Sequence, residues 1–147
     1  LNNKKIKVNN LIIPNYKIAN FRRLPDRLVS LAFFLKKRHN TPILKKHLIC
    51  GLQYDKTGAN IRPSDTIIKN WNLNNVDFIV RCEKMYEDWN YIFNKFDYNI
   101  TMDSAYFNKT DRPNFIDFFS KNELDQIYKT NPLWQSLEYK IYGSLPI

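Results

Sequence analysis

Two short stretches of strand-type sequence, separated by a long stretch that contains a helix, constrain the fold of this chain most strongly. Residues 16–21 alternate polar and apolar side chains, and residues 76–80 form a short apolar run. Strands that are connected through helices pair in parallel, so the sequence predicts an α/β fold with a short parallel sheet flanked by several helices. Because two strands do not form a stable sheet, we expect part of the sheet to precede the first residue of this sequence.

The helix between the two strands is the clearest of the predicted helices. Residues 27–38 carry Leu28, Leu31, Ala32 and Leu35 on one face, which is the pattern of a helix packed on a core. Proline and aspartate at positions 25 and 26 suit the start of this helix, and the basic residues 36–38 suit its end.

Capping signals place the other helices. The motif Ser120-Lys-Asn-Glu123 predicts a capping box, and Asn131-Pro132 predicts the start of a last helix that ends at Gly143. We expect Leu133, Leu137 and Ile141 of that last helix to face the core. Further helices are predicted within residues 42–52, from residues 64–65 to 71 and over residues 83–96, whereas residues 53–63 and 97–114 are predicted to be irregular.

The size and composition of the chain favour one folded domain over residues 1–147. Its 147 residues are 44% hydrophobic, which excludes a disordered chain, and no apolar run approaches the roughly 20 residues of a membrane span. The two cysteines lack metal-ligand spacing, so we expect no metal and a reducing, cytoplasmic location, with the lumen of the secretory pathway as the alternative. The sequence starts with Leu1 and shows no signal or transit peptide, so we expect it to begin inside a longer protein.

The positive charge is unevenly distributed. The chain carries 23 basic and 14 acidic residues for a net charge of +9, yet Asp26 is the single acid among its first 50 residues. A surface built from this part of the chain would attract anions such as nucleotides, nucleic acids, acidic sugars or anionic lipids.

The most informative motif lies where the first strand passes into the first helix. Arg22 follows the strand, and Ser30 lies in what we predict to be the first turn of the helix. The start of a helix offers free N–H groups to a phosphate, and arginine and serine add matching donors. The segment therefore predicts a phosphate site, with a purely structural loop as the alternative. Arg27 could point either to the anion or to a carboxylate.

These residues resemble the second nucleotide-binding motif of sulfotransferases, which reads roughly Arg-Asp-Pro-x-x-Arg-Leu-x-Ser. Arg22 and Ser30 keep the spacing of that motif, and Arg27-Leu-Val-Ser30 matches its end. The resemblance implies that Arg22 and Ser30 hold the 3′-phosphate of 3′-phosphoadenosine 5′-phosphosulfate, with Arg27 as a further cofactor-binding candidate. This chain departs from the motif in two ways: its proline lies one place later, at position 25, and Arg23 stands where an acid is common.

Four later segments are similar to carbohydrate-type sulfotransferases in the same order. They are residues 46–51, the strand-helix stretch 76–89, Asn108-Lys-Thr110, and the closing helices from Glu123 to Tyr142. The resemblance implies a P-loop-like, three-layer sulfotransferase fold, of which residues 1–147 would be the C-terminal part. The phosphosulfate-binding loop and the catalytic base would then lie outside this sequence, so the catalytic residues are unknown. The implied reaction transfers a sulfuryl group to a hydroxyl, with a carbohydrate as the acceptor.

Two other functions stay open at this stage. The chain could be a non-catalytic basic module that binds anions or nucleic acid, although no base-reading motif supports nucleic acid as the partner. It could also be a degenerate relative that keeps the fold as a structural partner. The remaining polar candidates favour structural roles: we expect His39 and His47 on the surface, an ion pair between Arg81 and Glu83, and solvated carboxylates at positions 87 and 88. We expect the three tryptophans, Trp71, Trp89 and Trp134, in the core.

Overall fold

The computed structural model describes residues 16–55, 57–69, 71–102 and 111–147. The described residues form a mixed α/β structure in which helices predominate. In chain order the elements are β1 (Ile18–Phe21), α1 (Leu24–His39), α2 (Lys45–Ile49), β2 (Leu52–Tyr54), β3 (Ile61–Pro63), α3 (Ser64–Ile68), β4 (Phe78–Arg81), α4 (Met85–Lys95), α5 (Phe115–Phe118), α6 (Lys121–Lys129) and α7 (Pro132–Tyr142). Short 3₁₀ turns at Leu73–Asn75 and Cys82–Lys84 flank β4.

The two predicted strands pair in parallel, which confirms the α/β class. β1 lies beside β4, with Ile18 opposite Phe78 and Phe21 opposite Arg81. Val80 is completely buried, and Phe21 nearly so, as expected for strands that helices cover.

A second sheet corrects the prediction of a loop over residues 53–63. β2 and β3 form an antiparallel hairpin, with Gln53 opposite Arg62. The Asp55 side chain organises the connection by accepting bonds from the Thr57 and Ala59 amides and from the Asn60 side chain. The sequence predicted a loop here because the segment is polar. The two strands are only three residues long and show no alternation of apolar and polar residues.

Helix α1 is the centre of the core. It begins at Leu24 with proline in its first turn and ends at His39, and the capping residue Asn40 adopts the left-handed conformation. Leu24, Leu28, Val29, Ala32 and Leu35 are buried, and α1 packs against β2, α5, α6 and α7.

The closing helices follow the capping signals. The predicted capping box at Ser120 and Glu123 is present with both of its hydrogen bonds. Helix α7 begins at Pro132 and ends at Tyr142, and the capping residue Gly143 has a φ of 72°, which suits glycine. The inward face of α7 follows the prediction only in part: Leu137 and Ile141 pack against the core, whereas Leu133 is 51% exposed. Trp134 and Glu138 of the same helix are buried.

Other tryptophan and helix predictions were correct only in part. Trp134 lies in the core and contacts Phe21, whereas Trp71 is 38% exposed. Helix α4 starts two residues later than predicted, after a 3₁₀ turn, and Met85 at its start is exposed. Within the described part of the chain, no helix has both the length and the apolar character needed to cross a membrane.

Candidate anion-binding site

The parallel pairing of β1 and β4 brings two chain segments to the same edge of the sheet. Phe21 and Arg81 are opposite each other at the ends of the strands, so Arg22 and Cys82 follow at the same edge. Burial raises the pKa of the Cys82 thiol, and the positive charge of the nearby Arg22 opposes that rise. The junction after β1 therefore lies beside the junction after β4.

The Arg22 guanidinium contacts both of the helix residues that face it. Its Nη1 donates to Ser30 Oγ at 2.8 Å, and its Nε lies 3.4 Å from Asp26 Oδ2. The side chain is 33% exposed, which leaves the guanidinium accessible from solvent. The two residues that the sequence predicted to hold one phosphate are thus in direct contact.

A cavity of about 190 Å³ opens beside this contact. Arg27, Ser30, Leu31 and Phe34 line it from one face of α1, because positions spaced by three and four residues share a helix face. Arg22 lines it from the end of β1. The structure therefore brings all three predicted site residues, Arg22, Arg27 and Ser30, to one cavity.

Arg27 has a structural role besides lining the cavity. Its Nε donates to Gln53 Oε1 at 2.8 Å. The Nε2 of the buried Gln53 side chain in turn donates to Ser64 Oγ at 2.8 Å. Burial lowers the pKa of Arg27, and the nearby charge of Arg22 lowers it further. Two guanidinium groups that repel each other at one cavity are an arrangement that a bound anion would stabilise.

The start of α1 contradicts one detail of the sequence-based prediction. The Leu24 amide donates to Glu138 Oε2 at 2.8 Å, and the Arg27 amide donates to the Arg23 carbonyl at 2.9 Å. Pro25 has no amide hydrogen. The Leu24 and Arg27 amides are therefore not available to an anion, and Ser30 lies in the second turn rather than the first because the helix begins at Leu24. The side-chain donors at the cavity are those of Arg22, Arg27 and Ser30.

Glu138, which accepts from the Leu24 amide, belongs to a hydrogen-bond network that runs from the core to the exposed Glu83. We name this network the Glu138 cluster: Arg23, Glu83, Tyr128, Glu138 and Tyr142. The Glu138 carboxylate is completely buried and accepts bonds from Arg23 Nη1 at 3.0 Å and from the Tyr128 hydroxyl at 2.7 Å. Glu83 accepts from the Arg23 amide at 3.0 Å and from the Tyr142 hydroxyl. Burial raises the pKa of Glu138, although its three donors pull in the opposite direction.

Three residues around the site went unrecognised in the sequence. Asp26 was seen only as a helix-start acid, yet it binds Arg22 and, at 2.6 Å, Arg112. The four-residue spacing of Arg22 and Asp26 was a usable signal. Glu138 could have been noticed as a carboxylate on the apolar side of α7, whereas nothing local to Arg112 marks its contact with a residue 86 positions away.

Several polar residues lie elsewhere than predicted. Arg81 pairs with Asp88, at 2.5 and 2.9 Å, and not with Glu83, so Asp88 is not a merely solvated carboxylate. His39 is exposed at the end of α1, as predicted, while His47 lies against the Tyr54 hydroxyl at 2.9 Å. The Asn108-Lys-Thr110 segment lies outside the described residues.

A larger open cavity of about 640 Å³ runs beside β4, between α4 and α7. Its lining is mixed, with Phe78, Ile79 and Ile141 beside the Arg81–Asp88 pair and the exposed Tyr91. The three predicted site residues do not line it. Across the described ranges no group of three histidine, cysteine, aspartate or glutamate side chains is placed to hold a metal ion.

Comparison with known proteins does not assign this chain to a family. No protein-family model, no curated protein and no solved structure matches the chain at a significant level. The function is therefore argued from the site itself.

Proposed function

We propose that this chain is a sulfotransferase-like protein whose Arg22 and Ser30 bind the 3′-phosphate of 3′-phosphoadenosine 5′-phosphosulfate. The observation that carries the proposal is the 2.8 Å contact between Arg22 Nη1 and Ser30 Oγ at the rim of a cavity that Arg27 also lines. In the proposed reaction a sulfuryl group passes from this nucleotide to a hydroxyl group, with a carbohydrate as the acceptor class.

The donor chemistry at the cavity fits a phosphate. A guanidinium offers a planar set of N–H donors that matches two phosphate oxygens, and a hydroxyl adds one more donor beside it. Arg27 supplies a second positive charge from the wall of the cavity. In the bound state Arg22 would exchange its bond to Ser30 for bonds to the phosphate, and Ser30 would then donate to the same group.

The proposed role of these residues is to hold and orient the nucleotide. The nucleotide supplies the sulfuryl group, and transfer of such a group depends on positioning and on stabilisation of developing charge. Arg22 and Ser30 fix the end of the nucleotide that does not react, which orients the reacting end.

A thermal-shift experiment tests this assignment. Adenosine 3′,5′-bisphosphate is compared with 5′-AMP on the wild type, on Arg22→Ala and on Ser30→Ala. Arg62→Ala is the matched control, because Arg62 is an exposed arginine of β3 that does not line the cavity. A ligand at about 100 times its dissociation constant adds about 2.7 kcal/mol to the free energy of unfolding.

We expect the bisphosphate, but not 5′-AMP, to raise the melting temperature of the wild type and of Arg62→Ala. The increase should be lost in Arg22→Ala and reduced in Ser30→Ala. Equal shifts with both nucleotides, or none with either, would overturn the assignment. A response to single-stranded oligonucleotides that falls steeply with salt and survives in Arg22→Ala would favour the non-catalytic basic module instead.

A further inference from the structure

We propose that Asp26 is a positioning residue for Arg22, and that Arg112 anchors Asp26 for this purpose. The inference rests on the anion site proposed above and deepens it by naming the residues that orient its arginine. The observation behind it is that one carboxylate bridges two guanidinium groups, at 2.6 Å from Arg112 and 3.4 Å from Arg22.

The burial of Asp26 is the first argument. Its side chain is 12% exposed, and aspartate is rarely buried to this extent unless its charge is paired. Both of its oxygens have a cationic neighbour: Oδ1 accepts from Arg112 Nη2, and Oδ2 faces Arg22 Nε. The carboxylate therefore has one position that serves both partners.

Arg112 provides the fixed end of this arrangement. Its side chain is 18% exposed, and its Nη1 also donates to the Pro113 carbonyl at 3.3 Å. Arg112 immediately precedes the segment that leads into α5, which packs on α1. The bond from Arg112 to Asp26 thus comes from a separate part of the fold, and the shorter of the two contacts holds the carboxylate in place.

The effect on Arg22 follows from the two nitrogens that are engaged. Asp26 holds Nε at one edge of the guanidinium, and Ser30 holds Nη1 at another. An arginine side chain loses several rotatable bonds when it binds, and contacts that fix its plane beforehand reduce that cost. The contact with Asp26 is the one that would persist when a phosphate replaces Arg22 as the partner of Ser30.

Charge repulsion alone predicts the opposite effect of neutralising Asp26 on anion binding, which makes the inference testable. A carboxylate beside a bound anion repels it, so a role in simple charge balance means that neutralising Asp26 should tighten anion binding. If Asp26 positions Arg22, its neutralisation should weaken binding in spite of the lost repulsion.

The binding test measures the dissociation constant of adenosine 3′,5′-bisphosphate by calorimetry. The variants are Asp26→Asn, which keeps the size of the side chain, Arg112→Gln, and Asp125→Asn as the matched control. Asp125 makes an exposed ion pair with Lys129 on α6, so Asp125→Asn alters the net charge as Asp26→Asn does, but at a remote position. We expect Asp26→Asn and Arg112→Gln to weaken binding by about tenfold, the scale of coupling within one network, and Asp125→Asn to leave it unchanged.

The same substitution in an Arg22→Lys background separates positioning from other effects, because lysine keeps the charge but has no guanidinium plane for Asp26 to orient. Positioning predicts that Asp26→Asn weakens the remaining binding less in that background than in the wild type. Tighter or unchanged binding in Asp26→Asn, or an equal loss with arginine and with lysine at position 22, would overturn the inference.

A readout without ligand keeps the inference independent of the proposed function. The Nε–Hε signal of Arg22 in a ¹⁵N correlation spectrum, assigned by its loss in Arg22→Ala, should be protected from exchange in the wild type and not in Asp26→Asn or Arg112→Gln. A protected signal in a protein that binds no bisphosphate would support the positioning while refuting the proposed function. An Arg22 signal that is the same in all three proteins would overturn the positioning.

Discussion

Arg22 and Arg23 are neighbours in the chain, yet the fold uses them in opposite ways. Arg23 turns inward to the completely buried Glu138, with its guanidinium also 4.1 Å from the centre of the Tyr142 ring. Arg22 turns outward to a cavity, where its partners are the Ser30 hydroxyl and the Asp26 carboxylate. The side chain of Arg23 is 18% exposed and that of Arg22 is 33% exposed.

The difference shows how one junction can carry both stability and binding. The Glu138 cluster fixes the backbone on both sides of the turn, because Glu83 accepts from the Arg23 amide and Glu138 from the Leu24 amide. Because these two carboxylates hold the backbone of the turn, the Arg22 side chain is not needed to stabilise it. The Arg22 guanidinium therefore stays available for a ligand. We therefore expect substitutions in the cluster to cost stability and substitutions at the cavity to cost binding.

The largest effect is expected for Glu138→Ala. The substitution leaves the Arg23 guanidinium, the Leu24 amide and the Tyr128 hydroxyl without their common acceptor inside the protein. Removing one partner of a buried ion pair costs about 3–5 kcal/mol, a large part of the stability of a domain of this size. The free energy of unfolding, measured by urea denaturation, should fall by about this amount.

Glu138→Gln is the matched control, since it keeps the shape and an acceptor for the Leu24 amide but removes the charge opposite Arg23. We expect it to lose about half as much stability as Glu138→Ala. If Glu138→Ala unfolds as the wild type does, the cluster is not what holds the junction, and the contrast between the two arginines fails.

Arg23→Lys tests the other end of the same pair with a smaller expected loss. Arg23 Nη1 reaches both Glu138 and the Ser144 carbonyl, while the guanidinium plane lies over Tyr142. A lysine keeps the charge but not this planar set of contacts, so we expect a loss of about 1–2 kcal/mol in the free energy of unfolding. The same change at the exposed Arg62 is the control and should have no measurable effect.

Local patterns in the sequence were enough to predict the framework of the site. The alternation before Arg22, the apolar face of α1 and the spacing of Arg22 and Ser30 are all properties of a short segment. The structure confirms the strand and the helix, and it places Arg22 and Ser30, which the spacing predicted to meet at one anion, 2.8 Å apart. The capping box at Ser120 was predicted for the same reason, since its two partners are three residues apart.

The rest of the site depends on contacts between distant segments, which no local pattern reveals. Glu138 meets the start of α1 across 114 positions, and Arg112 meets Asp26 across 86. The inward face of α7 was predicted to be apolar because a buried carboxylate is favourable only when its donors are in place. Those donors come from the β1–α1 connection, the start of α1 and α6. The hairpin was missed because its strands are too short to show alternation.

The pH dependence of stability tests the Glu138 cluster through a smaller expected effect. Burial raises the pKa of Glu138 above the value of about 4.3 that it has in an unfolded chain. Its contribution to stability is therefore full below that unfolded value and is lost as the pH rises through the higher folded pKa. The stability of the wild type relative to Glu138→Gln should decline with rising pH, by no more than about 1.4 kcal/mol per pH unit for one proton.

Urea titrations of both proteins at several values between about pH 4 and pH 8 would measure this difference. A difference that grows with rising pH would mean that the donors around Glu138 outweigh its burial, and that the carboxylate is stabilised in its charged form.

The smallest effect on stability is expected at the cavity itself, for Arg22→Ala. The ion pair that is lost is partly exposed, and such pairs contribute about 0–1 kcal/mol. Asp26 keeps Arg112 as a partner, so the substitution strands no buried charge. We therefore expect urea denaturation of Arg22→Ala to give a free energy of unfolding within about 1 kcal/mol of the wild type, while the response to adenosine 3′,5′-bisphosphate is lost. A loss as large as that of Glu138→Ala would mean that both arginines hold the junction, and the cavity would then be a by-product of the fold rather than a binding site.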